Sequence, residues 1–230
     1  MGKEFEIRRE VELPATPEEV WEAVATGPGT ASWLFPEEPG PNDLVESDRP
    51  HRYAVRTEGE GGYFNAVEFV IEAREGGTAV LRYVHSGVFE DEGWDDQFDA
   101  VDGHTEFYLH TLGQYLEHFS PRTASYVGGG PGGLQGPEAS MTPDAFEKLK
   151  RELGASSEGD RVSLPNGAGD GVVDYATDKF LGVRTGDALY RFFGRNAFGG
   201  PVGMSIHHFG DVDVDAASRD WSDWLNGVYS

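Results

Sequence analysis

Three polar side chains fall where the alternation of the chain calls for apolar ones. Between Lys3 and Leu13 the residues Phe5, Ile7, Val11 and Leu13 share one parity, and Arg9 shares it with them. By the same count His85 lies on the face of Leu81 and Tyr83, and Asn65 on the face of Val67 and Phe69. An unpaired charge in a packed core is costly, so an inward arginine needs a carboxylate, water or a ligand. Its chemistry would be to fix an anion or a carbonyl, with His85 and Tyr83 as polarising or acid–base groups. A bulge at Arg8–Arg9, or snorkelling at the strand edge over a filled interior, accounts for the same pattern.

Other chemistry is thinly represented. The chain has no cysteine, hence no thiolate nucleophile or disulfide, and it contains no G-x-S-x-G, H-E-x-x-H or Walker loop. His104, His110 and His118 share a helical stretch at spacings that do not converge on a metal, and His207 and His208 point to opposite faces of a strand. Asp211, Asp213 and Asp215 start like a calcium loop but lack its glycine and distal glutamate. The acidic run Glu90–Asp96 reads as a solvated loop feeding a helix N-terminus. No catalytic set, metal site or cofactor is expected.

The elements that position these residues begin with the strand 3–13. Thr16-Pro17-Glu18-Glu19 then forms a helix start with a capping box. Val20, Trp21 and Val24 follow at helical spacing, with Trp21 expected in the core. Gly27-Pro28-Gly29 is expected to stop this helix, and a short turn carries Trp33, Leu34 and Phe35. Residues 36–50 read as loop, because four prolines and five acids interrupt any period. Strands are expected at 51–57, 63–74 and 78–88, the last pair joined through Gly76-Gly77. From Phe98 the period becomes helical through Val101, Thr105, Tyr108, Leu112, Tyr115 and Phe119, widened by Leu109 and Leu116.

A charged-out strand, a capped helix with tryptophan, a break and an aromatic turn resemble the opening of the START/Bet-v-1-like (SRPBCC) superfamily. The closer likeness is to the branch related to the activator of the Hsp90 ATPase, through Ala15, Pro17, Glu18, Val20, Trp21, Ala23, Val24, Thr26, Pro28 and Trp33. The resemblance implies an α+β helix-grip fold, an antiparallel sheet wrapped on a long C-terminal helix. It also implies a pocket between sheet and helix. Its walls would be Phe69, Leu81, Tyr83, Tyr108, Leu112 and Tyr115, with Trp33 and Phe35 near the mouth and Arg9 and His85 as polar anchors. The functions it implies are binding of a small apolar or amphipathic ligand, or a co-chaperone-like protein-binding module. A cyclase- or hydrolase-type enzyme is the third, and it is disfavoured because no nucleophile–base–orienter set is visible.

The second half repeats the plan. Residues 121–140 read as a Gly/Pro-rich linker. Thr142-Pro143-Asp144 is expected to cap a helix with Phe146, Leu149 and Leu153. Strands follow at 161–164, 172–177, 180–185, 188–195 and 202–209, and a closing helix at 215–229 is capped by Asp215. Residues 77–84 align with 186–193 at an offset of 109 positions, and the two closing helices align at the same offset. The expectation is therefore a tandem: a helix-grip domain at 1–120, the linker, and a second, smaller one at 141–230.

The formal net charge of −23 argues against nucleic acid and anionic membrane as partners. It is lopsided: residues 1–120 carry 26 acids against 8 bases, and residues 121–230 carry 15 against 10. The absence of an apolar leader or a long apolar run points to a cytoplasmic protein without membrane insertion, whose partner is a small lipophilic ligand or another protein.

Overall fold

Strict alternation makes Lys3–Leu13 a strand, β1, and the Thr16 capping box starts the next element. The Thr16 hydroxyl accepts from the Glu19 backbone N–H and the Glu19 carboxylate accepts from the Thr16 N–H, opening α1 at Pro17–Ala25. The computed structural model describes residues 2–89, 92–130 and 132–230. The chain divides into two units, 1–121 and 122–230.

In the first unit α1 ends at Thr26, and Gly27–Thr30 form a short second helix, α2, instead of a stop. A side chain at Gly29 would collide with Ala23 and the Glu22 carbonyl, so this glycine lets the two helices meet closely. Four further strands follow: β2 at Leu44–Asp48, β3 at Arg52–Glu58, β4 at Phe64–Ala73 and β5 at Ala79–Phe89. The 25-residue helix α3 runs from Trp94 to His118. The sheet order is β1-β5-β4-β3-β2, all antiparallel. Gly76 and Gly77, with φ of 81° and 79°, make the β4–β5 turn that L-residues resist.

Two expectations fail here. The expected loop 36–50 contains β2, whose hairpin pairing to β3 outweighs a local sequence without strand periodicity. Trp21 is only partly buried: Val20, Ala23 and Val24 form the buried face of α1, and Trp21 sits beside it under the Arg49 guanidinium, 4.6 Å from the ring centroid. The tryptophan of the core is Trp33, 2% exposed, whose Nε1–H donates to the Ala23 carbonyl at 2.9 Å.

The second unit contains β6 (Ser125–Val127), β7 (Leu134–Gln135), α4 (Ala145–Leu153) and β8 (Arg161–Leu164). It continues through β9 (Gly169–Ala176), β10 (Phe180–Arg184), β11 (Ala188–Phe193) and β12 (Gly203–His208) to α5 (Val214–Val228). Its order is β6-β12-β11-β10-β9-β8, with β7 also pairing β12. In both units the first strand pairs with the last strand before the closing helix, the circuit of a helix grip. Strands and closing helix are shorter than in the first unit, although the sheet has more strands. Trp221, Leu225 and Val228 of α5 close the core over Tyr190, Phe192, Met204 and Ile206.

The expected linker is part of this sheet, because residues 125–127 and 134–135 pair with β12. The helix caps also shift: Asp144 precedes α4, and Asp213, not Asp215, accepts from the Ala216 N–H to cap α5. The offset of 109 aligns β5 with β11, but by circuit the counterpart of β5 is β12, so the repeat lies in topology and not in that register.

The second sheet also holds a buried ion pair that its sequence did not announce. Arg191 of β11 meets Asp174 of β9 through two bonds of 2.9 Å, with side chains 1% and 4% exposed. It passes over Gly182 of β10, where any side chain would strike both partners.

Candidate functional site

The inner face of the first sheet is a grid fixed by register. One cross-strand row runs Val11–Leu81–Ile71, the next Arg9–Tyr83–Phe69–Tyr53, the next Ile7–His85–Val67–Val55, and the last Phe5–Gly87–Asn65–Thr57. Burial is graded along it. Leu81 and Ile71 are fully buried, whereas Tyr83, His85, Val67 and Asn65, on the same face, keep accessible surface. Gly87 makes room in the last row, since a side chain there would run into the Phe5 ring.

Arg9 does point inward, as parity requires, but it is not free. Its Nη2 pairs with the Asp102 carboxylate of α3, and its Nη1 donates to the Arg8 carbonyl at 2.9 Å. The expectation of an uncompensated anchor for an anionic headgroup is therefore corrected: α3 supplies the counter-charge. His85 Nε2 lies 2.8 Å from Asn65 Oδ1. Burial pushes the His85 pKa down to about 4, so the ring is neutral at pH 7, with its proton on Nε2 donated to Asn65 and its Nδ1 an acceptor without a hydrogen-bond partner. Burial raises the Tyr83 pKa, while Thr105 of α3 beside its hydroxyl pulls the other way and the Glu37 charge adds to the rise.

The aromatic side chains meet in two groups. Phe69 contacts Tyr83 at 5.4 Å between centroids and Trp33 at 6.5 Å, and Tyr83 lies 6.3 Å from His85. Phe35 stands edge-on to Tyr108 at 6.4 Å, both partly exposed. Trp33, Leu81, Leu112 and Tyr115 are buried packing residues, so Trp33 lies in the core and not at a mouth. Burial also raises the Tyr115 phenol, with Ser32 and Ser120 beside it acting in the opposite direction. The structure thus groups Tyr83, His85 and Phe69 with Asn65 and Val67, pairs Phe35 with Tyr108, and gives Arg9 to Asp102.

Asp102, Thr105 and Glu37 are the site residues that sequence reasoning did not assign. Asp102 was legible in principle: an inward arginine requires an acid, and Asp102 adjoins Val101 on the apolar stripe. Among the described residues no group of three or more His, Asp or Glu side chains is placed to hold a metal. Glu90 and Asp91 of the acidic run lie outside the described residues. No described helix is long and apolar enough to cross a membrane.

A sheet whose first and last strands pair and that carries a long helix is the helix-grip class, and solved structures of similar chains exist. The Aha1 dimer from Colwellia psychrerythraea is 18% identical over 49% of this chain and 96% of its own, with a TM-score of 0.40. The di-domain ARO/CYC BexL from the BE-7585A biosynthetic pathway is 14% identical over 96% of this chain and 93% of its own, with a TM-score of 0.43. DynU16, a putative protein in the dynemicin biosynthetic locus, is 16% identical over 97% and 96%, with a TM-score of 0.40. No family model and no curated protein matches the chain. These are likenesses only.

Proposed function

We propose that the first unit binds a small apolar or amphipathic molecule, uncharged where it meets the sheet, in a recess between β4, β5 and α3. One observation carries this reading. Tyr83 and His85 are deep enough for burial to move both pKa values, yet they retain accessible surface, while Leu81 and Ile71 on the same face have none. That combination supports a partly apolar wall with a few fixed polar groups. With Arg9 neutralised by Asp102, a carboxylate ligand gains no free cation there. A neutral donor or acceptor suits the un-ionised Tyr83 and His85.

An acid–base role for His85 is disfavoured, because a pKa near 4 is poorly matched to proton transfer at pH 7. The second unit supports the contrast. Its inner-face residues Val173, Leu181, Val183, Phe192 and Met204 are fully buried, as in a filled core, so we read it as the scaffold of a two-domain chain.

Titration with Nile red, a neutral apolar dye, tests the proposal. The intact chain should enhance and blue-shift its emission, and Val67→Trp, which fills the recess, should abolish the effect with little change in far-UV circular dichroism. An intact chain that leaves the dye emission unchanged would overturn the reading.

A further inference from the structure

We infer that the free edge of β2 is a strand-addition site for an extended, basic segment of a partner protein. β2 ends the sheet order, with β3 on one side only, so alternate residues aim peptide N–H and C=O groups away from the sheet. It is the one described strand in which every residue is exposed. Leu44 and Val45 are 57% and 45% exposed, two of the few large apolar side chains left open among the described residues. Two of the usual protections of an edge, a bulge and a proline or lysine in the strand, are missing from it, and its charges are all acidic. The register to β3 runs unbroken from Leu44↔Arg56 to Asp48↔Arg52, so there is no bulge, and the strand contains neither proline nor lysine.

Charge selects the occupant. From 36 to 48 the chain carries Glu37, Glu38, Asp43, Glu46 and Asp48 and no lysine or arginine; Arg52 of β3 already pairs with Glu46, which leaves the other four acids as the local charge surplus. A second copy of this chain fits poorly: antiparallel pairing centred on Glu46 sets that carboxylate against its twin and Leu44 against Asp48, between molecules of net charge −23. A segment alternating basic and apolar residues sets its basic side chains on the face of Glu46 and Asp48 and its apolar ones on the opposite face with the exposed Val45. Backbone bonds would then supply the ladder and alternate side chains the selectivity. This site lies across β3 from the recess and stands or falls apart from it.

Three short synthetic peptides probe it with the full-length protein: alternating Lys and Val, alternating Lys and Pro, and alternating Glu and Val. The Lys–Pro peptide keeps the charge but cannot complete a ladder. The Lys–Val peptide should protect backbone amides in 44–48 from hydrogen exchange and should weaken as salt rises. The Lys–Pro peptide should bind about tenfold or more weakly, and Leu44→Ser with Val45→Ser should weaken the Lys–Val peptide alone. Equal binding of both lysine peptides, preference for the Glu–Val peptide, or protection elsewhere would overturn the inference. Protection of 44–48 that grows with protein concentration in the absence of peptide would also overturn it, making a second copy the occupant.

Discussion

His85 shows how much a single environment changes a residue. Its folded pKa of about 4 lies below the ordinary histidine value of 6.5 because burial penalises the charged ring. As pH falls through 6.5 the unfolded chain takes up the proton first, so folding loses stability progressively until about pH 4, where the slope ends. At about 1.4 kcal/mol per pKa unit the loss is at most about 3 kcal/mol, less for the part of the ring that solvent reaches. Comparing urea midpoints at pH 7 and near pH 4.5 for the natural chain and His85→Gln isolates this contribution. The natural chain should lose more, and identical losses would show that His85 is solvated. Arg9 was legible in the sequence as inward, and so was its need for a partner, but which acid answered it depended on the rotation of α3. Arg191 was invisible for another reason: β11 is apolar at its other positions, and only three adjacent strands together reveal Asp174 across Gly182.

Among elements, the helix start at Thr16 was readable to the residue because capping is a local affair of four positions. The face of α1 was not, since neighbouring residues on a helix differ by a fraction of a turn and tertiary packing decides which one sinks. Trp33→Ala should therefore cost about 3–5 kcal/mol, from the loss of a fully buried indole and its bond to the Ala23 carbonyl. Trp21→Ala should cost clearly less, since it gives up a half-open ring under Arg49. Thermal unfolding of the two variants orders them, and a larger drop for Trp21→Ala would mean that the roles are reversed. β2 was missed because nothing in Leu44–Asp48 is buried, and a strand that packs nothing leaves no alternation to read. The wall of the proposed pocket was half legible. Parity found Tyr83, His85 and Asn65, but it could not separate Leu81, which packs, from Tyr83 two residues on, which keeps accessible surface.

For the molecule as a whole, charge dominates what topology leaves open. The outer face of the first sheet carries the chains Glu10–Arg82–Glu72 and Glu46–Arg52–Glu68. These exposed pairs contribute little and weaken with salt. Against them stands the self-repulsion of 41 acids with only 18 bases, which salt also screens. Repulsion is the larger effect at that imbalance, so the melting temperature should rise as sodium chloride is added. A gain of 1 kcal/mol corresponds to about 2–4 °C for a chain of this size. A melting temperature that falls with added salt would give the ion-pair chains the greater weight. The tandem was legible through recurring cap and strand patterns. The register of the repeat was not, because the sequence match sets β11 against β5 whereas the circuit sets β12 there.

The pairing of first strand with last also governs the order in which the protein can assemble as it leaves the ribosome. β1 finds its partner only when residues as distant as Phe89 have emerged to meet Lys3, and β6 waits in the same way for β12. Until then the hairpins β2–β3 and β4–β5 can zip locally, while the amino-terminal strand has no backbone partner. Loop closure over such separations is slow compared with hairpin formation. The nascent chain therefore holds the first strand of each unit open for most of that unit's synthesis, and its pairing with the last strand is the late step that commits the sheet.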